Sequence, residues 1–357
     1  MSKNPLQKHR EAVDAIDNEL LALLNKRAQV VQGIGRIKAE NGEQVFSSER
    51  ERAILDRMSE MNKGPLPEEA VNDIFQSVFT AHRSLQRKLQ IAYFGPEATF
   101  THQLAVKHFG RNSEYIPLPS IRDVFNEVEA KRADYGVVPI ENSTEGIVNH
   151  TLDMFVHSDL SIVAEREEPI NHHLFSVSGD IKKVKSVYSH PQALAQCRKW
   201  LEARLPNAAV HETLSTADAA VQATLDPTVA AIASQAAGEI YHLKTVAAKI
   251  EDSVDNTTRF LIIGATGPKP TGKDKTSVLF SVKDRVGALY DTLQVFKKAN
   301  LNMTKIESRP TKKKVWEYIF FVDFVGHQSD KKVQKALTAL RRKCATLKVL
   351  GSYPYGV

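Results

Sequence analysis

Apolar side chains near the start of the chain recur at helical spacing: Val13, Ile16, Leu20, Leu23, Leu24, Val30, Val31, Ile34 and Ile37. Such a stripe lies along one side of a single helix. Asn4 and Pro5 suit its N-cap and first turn, and Gly42 suits its end, which predicts one helix of about 35 residues. Ser48 is the expected cap of a second helix running to about Asn62. GPLPEE opens a third, with Ile74, Val78, Phe79 and Leu85 on one face. The first 88 residues read as all-α.

One member of the stripe is charged. Arg27 stands in register with Leu23, Leu24, Val30 and Val31, where a cation is costly unless paired. Lys38 follows 11 residues later, about 1100° of rotation and roughly 16 Å along the axis, so the two project from one side. They could clasp a small anion, with Arg50 closing the site. Arg10 is about 25 Å away and about 100° around the helix, so it could join only from another chain in an antiparallel pairing. Basic residues lying along a bundle surface are the competing reading.

From Ile91 the texture changes. Short β-rich runs (IAYFG, YGVVPI, LSIVAE, HLFSVS, SVYS, VAAIAS, RFLIIG) alternate with helical stretches such as Ile121 to Ala130 and Pro191 to Arg204, the pattern of an α/β domain. GATGPKPTGKDK, residues 264 to 275, has a linker's composition. Beyond it come a strand from Ser277, a helix from Ala288, strands from Met303 and Val315, a helix from Ser329 and a strand from Leu347. This βαββαβ order is ferredoxin-like, with two helices on one sheet face and the other face open to pair. Three domains are expected, over residues 1–88, 90–266 and 276–357.

Charge follows the same division: 14 basic against 13 acidic residues up to 89, 15 against 22 up to 267, and 19 against 7 after it. The basic runs Lys312 to Lys314 and Arg341 to Lys343 lack interleaved aromatics, so a solvated face is expected rather than a nucleic-acid partner. No apolar run reaches the roughly 18 residues that cross a bilayer, and the charged start lacks a signal-peptide centre, so a cytoplasmic protein without a membrane partner is expected. Cys197 and Cys344 have no CxxC or His-spaced partner. His172 and His173 are adjacent and point apart in a strand. Neither pair suggests a metal, and the lone GxG at Gly33 suggests no dinucleotide.

The strings that carry chemistry lie at strand ends, three of them where a strand gives way to a helix, whose N-terminus attracts anions, and DNTTRFLII at the mouth of an apolar strand. They are GPEATFT (Gly95 to Thr101), VPIENSTEG with Glu141 and Asn142, YSHPQALAQC (Tyr188 to Cys197) and DNTTRFLII (Asp255 to Ile263). DRVGALYDTL places Gly287, Ala288 and Leu289 at a helix start, and Asn302 and ESRP (Glu307 to Pro310) follow.

Together these residues make the whole chain resemble the bifunctional chorismate mutase/prephenate dehydratases of phenylalanine biosynthesis. The resemblance implies a multidomain fold: an all-helical chorismate mutase domain forming an intertwined dimer, a two-lobed α/β domain of the type II periplasmic-binding-protein kind, and a ferredoxin-like ACT domain. It implies that Arg27, Arg50 and a partner chain's Arg10 hold chorismate's carboxylates. Lys38 and Gln86 would serve its ether oxygen, and Glu51 its ring hydroxyl. For prephenate it implies Thr258 as catalytic residue and Thr99, Glu141, Asn142, Ser189 and Gln196 as cleft lining, with Arg259 on a carboxylate. L-Phenylalanine would bind at Gly287, Ala288, Leu289, Asn302, Glu307, Ser308, Arg309 and Pro310, between paired ACT units. No cofactor is implied, and a homodimer or homotetramer is. Ser47, His82 and Ala98 depart from the family pattern, with Ser in place of an acidic residue, His in place of Ser and Ala in place of Gly.

Overall fold

The computed structural model describes residues 4–41, 47–85, 88–253, 255–283, 285–310 and 318–355. Gly42, Gln86 and Lys312 to Lys314 lie outside them. Two compact units form, the first essentially the N-terminal helices and the second nearly everything from Gln90 onward.

The first unit holds α1 (Pro5–Glu40), α2 (Ser48–Met61) and α3 (Glu68–Ser84). The cap of α2 is Ser47 rather than the expected Ser48, its hydroxyl accepting from Arg50 N at 3.3 Å. Leu55, Val71 and Phe79 are buried, but most of the α1 stripe is not: Ile16 is 62% exposed and Leu23 63%. Within one chain this helix leaves its apolar ridge uncovered.

In the second unit, a first lobe comprises β1 (Gln90–Phe94), α4 (Phe100–Phe109), β2 (Glu114–Leu118), α5 (Ile121–Glu129), β3 (Tyr135–Asn142), β4 (Gly146–Ile147), α6 (Asn149–His157) and β5 (Ser161–Pro169). A second comprises β6 (His173–Ser176), β7 (Ser186–Ser189), α7 (Pro191–Gln196), α8 (Arg198–Arg204), β8 (Ala209–Glu212), α9 (Thr216–Leu225), β9 (Val229–Ala233), α10 (Gln235–Ile240) and β10 (Lys244–Ala247). The chain then returns to the first lobe as β11 (Thr257–Gly264). The sheets are ordered β2-β1-β3-β11-β5, with β4 beside β3, and β10-β6-β9-β7-β8. The two crossings between lobes, near Ile170 and Asn256, are tied by Ile170 N donating to Asn256 O at 2.8 Å.

Two expectations change here. The helix expected from Pro191 to Arg204 is broken at Cys197, because the Asp252 carboxylate accepts from Lys199 N and Trp200 N and so caps a new helix. Asn142 does not lead directly into a helix; a tight turn and the short return strand β4 intervene.

The last domain is β12 (Asp274–Val282), α11 (Ala288–Lys298), β13 (Met303–Pro310), β14 (Tyr318–Val325), α12 (Lys331–Lys343) and β15 (Cys344–Pro354), in sheet order β13-β14-β12-β15. The linker ends sooner than expected, since Asp274 and Lys275 are already buried in β12. The helices cover the face carrying Val278, Phe280, Val322 and Phe324. The opposite face is not open: Leu279, Ile319, Phe321 and Tyr353 share a core with Ile162, Leu261 and Ile263 of the first lobe. At Gly351 the contact reaches backbone, where an added Cβ would stand 2.3 Å from Ile162 O. Only glycine lets β15 lie so close to β5, the edge of its own sheet.

Candidate active sites

In the helical unit, Arg27 is half-buried with its guanidinium against His82 Nδ1 and 5.5 Å from the Phe79 ring centroid. His82 is buried, and desolvation together with the Arg27 charge lowers its pKa, so Nδ1 stays a neutral acceptor. Burial also lowers the Arg27 pKa, opposed by Glu51 and reinforced by Arg50, which places both side chains in its electrostatic range. Glu51 is itself paired with the buried Arg83 at 3.0 Å. Arg27 thus feels the charges of both Arg50 and Glu51, while Arg10 is exposed and Lys38 half-buried. Arg83 went unnoticed in the sequence, where its neighbourhood looks like an ordinary charged helix end.

In the lobed unit, antiparallel pairing places Thr258 opposite Asn142 on β3 and Glu168 on β5. Asn142 Oδ1 accepts from the backbone N–H groups of Thr144 and Glu145 at 2.9 and 3.0 Å. Its amide nitrogen must therefore face the other way. It donates to Thr258 Oγ1 at 2.7 Å and to Asn256 Oδ1 at 2.8 Å. Because Thr258 Oγ1 already accepts a hydrogen bond, its own O–H is left to donate elsewhere.

Asn256 Nδ2 donates to Gln196 Oε1 at 3.0 Å. The Gln196 Nε2 atom is buried and bonded to nothing among the described residues. Thr99 Oγ1 donates to Pro96 O at 3.0 Å, and the fully buried Ser189 donates to Ile232 O at 2.6 Å. Glu168, buried beside Thr258 in the sheet, is held by Lys107 at 2.9 Å.

Two expected cleft residues are committed elsewhere. Arg259 lies 2.8 Å from Asp323 and 3.1 Å from Glu165, and Lys275 meets Glu165 at 2.6 Å. Burial works against the Arg259 charge, but Asp323 and Glu165 outweigh it and raise its pKa. Glu141 is paired with Lys305 of β13 at 2.5 Å. Both residues join the first lobe to the last domain.

At the expected effector site, Gly287 adopts φ 76° before α11, a left-handed cap that glycine takes without strain. Asn302 and Ser308 are exposed and Glu307 is half-buried on the edge strand β13. Arg309 is not available there. It donates to Asn149 O and Asp153, at the start of α6.

Sequence profiles match in three segments: chorismate mutase type II over residues 9–87, prephenate dehydratase over 91–268 and the ACT domain over 276–342. The bifunctional chorismate mutase/prephenate dehydratase of Aquifex aeolicus (strain VF5) is 52% identical over 353 residues, 98% of each chain. The chain belongs to the bifunctional chorismate mutase/prephenate dehydratase family. The enzyme of that name from Neisseria gonorrhoeae is 46% identical over 98% of this chain and 97% of its own. Among solved structures, prephenate dehydratase from Arthrobacter aurescens, in complex with L-Phe, superposes with TM-score 0.69 at 35% identity. The match covers 74% of this chain and 89% of that one.

The three positions expected to depart from the family pattern have a physical setting. Ser47 caps α2, and His82 is the group that Arg27 meets. Ala98 adopts φ 69°, a backbone glycine would take freely, and is 0% exposed in the core of the second lobe. Strain of about 1 kcal/mol is expected there, and the turn is held by His102 Nδ1 and Ser234 Oγ on the Ala98 backbone. Among the described residues no helix is long and apolar enough to cross a membrane.

Proposed function

We propose that this chain catalyses two successive steps of phenylalanine biosynthesis and is inhibited by their eventual product. The helical unit rearranges chorismate to prephenate. A [3,3] rearrangement needs no nucleophile or proton transfer, only a compact substrate and donors aimed at the oxygen that gains charge. Arg27, Arg50 and a second chain's Arg10 hold the carboxylates, Lys38 and Gln86 serve the ether oxygen, and Glu51 meets the ring hydroxyl. Gln86 is a neutral donor, so its part does not depend on pH. The uncovered α1 ridge supports the pairing of chains that brings Arg10 in.

The lobed domain converts prephenate to phenylpyruvate, carbon dioxide and water. Loss of the carboxylate and the ring hydroxyl leaves an aromatic ring, so the enzyme's task is to assist the departing oxygen. The observation that carries this reading is the direction of the Asn142–Thr258 hydrogen bond, which frees the Thr258 hydrogen for that oxygen. A hydroxyl that already accepts a charge-free amide donor is polarised towards donating. Gln196 Nε2 adds donors for the substrate, with Thr99 and Ser189 as further lining; Glu141 contributes only at the expense of its pairing with Lys305. Arg259 acts on a substrate carboxylate only at the expense of its pairing with Asp323.

L-Phenylalanine binds the ACT domain along α11 and β13, at Gly287, Ala288, Leu289, Asn302, Glu307, Ser308 and Pro310, while Arg309 stays with Asn149 and Asp153. The exposed Val286, Tyr290 and Ile306 support a second ACT unit closing over it. Inhibition then requires tighter binding to a state whose dehydratase cleft is misaligned. The test supplies chorismate and prephenate separately to the full chain. Expected are consumption of the first, phenylpyruvate from the second, and loss of the second activity alone in millimolar phenylalanine. A chain that binds prephenate without turnover is a sensor rather than an enzyme, and one that ignores chorismate uses its helices only to dimerise.

A further inference from the structure

The hydrogen bonds around Thr258 continue past the residues already assigned. Gln196 Oε1 accepts from Asn256 Nδ2 and also lies 2.7 Å from His172 Nε2. These groups come from different places. Asn142 and Thr258 belong to the first lobe and Gln196 to α7 of the second, while His172 and Asn256 sit on the two crossings that join them.

The direction of every bond in this chain is dictated from one end. Two backbone N–H groups, which can only donate, fix Asn142 Oδ1 as an acceptor and Nδ2 as a donor. Asn256 must then receive at Oδ1 and donate from Nδ2. Gln196 must receive at Oε1, and the last contact closes only if His172 carries its proton on Nε2. The environment agrees. His172 Nδ1 is buried with no partner among the described residues. A bare acceptor there costs less than an orphaned N–H would. Desolvation by burial also lowers the His172 pKa, against smaller opposing contributions from Gln196 and Glu251, which favours the neutral ring. The ring is seated edge-on to Phe100, its centroid 5.6 Å away.

We propose that His172 and Asn256 are positioning residues of the dehydratase: they anchor Gln196 across the lobe junction and so hold Asn142 and the Thr258 hydroxyl in their productive directions. The proposal rests on the reading of Thr258 as catalytic, but its structural half can be tested without turnover. Among the described residues no hydrogen bond joins His172 to Thr258 or Asn142; its effect travels through Gln196 and Asn256.

Two measurements test it on the full-length chain. In the first, histidine is labelled with 15N and the His172 signal is assigned by its loss in His172→Phe. Wild-type protein is expected to show the Nε2–H tautomer. Asn256→Asp places an acceptor against Gln196 Oε1, which turns the glutamine amide so that Nε2 faces His172. The ring is then expected to switch to Nδ1–H. A wild-type Nδ1–H tautomer, or no switch in Asn256→Asp, overturns the assigned chain whatever the enzyme's activity.

In the second, prephenate turnover is followed with chorismate consumption as the internal control of enzyme concentration and thermal unfolding as the control of folding. His172→Phe is expected to lower the dehydratase kcat by about 10- to 100-fold, the scale of a small misplacement in a site, with KM changed less than about threefold. His172→Gln, whose amide nitrogen can donate from near the Nε2 position, is expected to restore most of kcat. Equal losses in both variants, or a loss confined to KM, would show a merely structural or binding role. Absence of prephenate turnover in the wild type would remove the proposed function while leaving the tautomer result readable.

Discussion

Thr258→Ala lowers prephenate turnover by about 10³-fold and leaves chorismate consumption at the wild-type rate. The change removes the hydroxyl hydrogen that the Asn142 donation leaves free to act, and it takes from the Asn142 amide one of its two acceptors, Thr258 Oγ1 at 2.7 Å, leaving Asn256 Oδ1. Thr258→Ser keeps both the acceptor and the donor and loses only a methyl group, so it retains most of the rate. The mutase control is informative because its expected residues lie in the separate helical unit. If Thr258→Ala turns prephenate over at more than about a tenth of the normal rate, hydroxide departure is assisted by some other group. The hydrogen-bond geometry would then serve packing rather than chemistry.

Arg259→Met destabilises the lobed unit by about 3 kcal/mol, because breaking a buried ion pair leaves an uncompensated charge. The unpaired group is Asp323. Glu165 keeps Lys275 at 2.6 Å, whereas among the described residues the Asp323 side chain keeps the Ser277 hydroxyl at 2.5 Å and no cation. Thermal unfolding is expected to fall by about 6–12 °C. Adding Asp323→Asn neutralises the orphan and should recover most of the loss, a coupling that a double-mutant cycle reads directly. The double variant also separates two roles for Arg259. Recovered stability with normal prephenate kinetics makes it an anchor between domains; recovered stability with a raised KM makes it a substrate ligand as well. No recovery at all would mean that the loss arises from packing and not from charge.

Much of the architecture was legible because its signals are local. Buried strands such as β9 and β11 are continuous apolar runs, and the three helices of the first unit carry clear periodicity. The strands that went unseen, β2, β4, β8 and β10, are edge or very short strands; β8 and β10 have mostly exposed or half-buried residues, so no apolar run marks them. Arg259 and Arg309 show a different limit. Their strings identify the family, yet their partners, Asp323 and Asp153, are 64 and 156 positions away. A carboxylate offered by another domain competes with one offered by a ligand, and no spacing rule distinguishes them. Asn256 was within reach, since it lies two residues before Thr258 and alternation puts the pair on one side of a strand.

The uncovered ridge of α1 has a consequence for how the two halves of the chain respond to dilution. In the proposed pairing of chains a neighbour covers that apolar surface, so the helical half draws part of its folding free energy from mass action. The cores of the lobed half close within its own chain, so its folding leans less on a neighbour. Lowering the protein concentration should therefore silence the first reaction before the second, making the ratio of the two rates a gauge of subunit association.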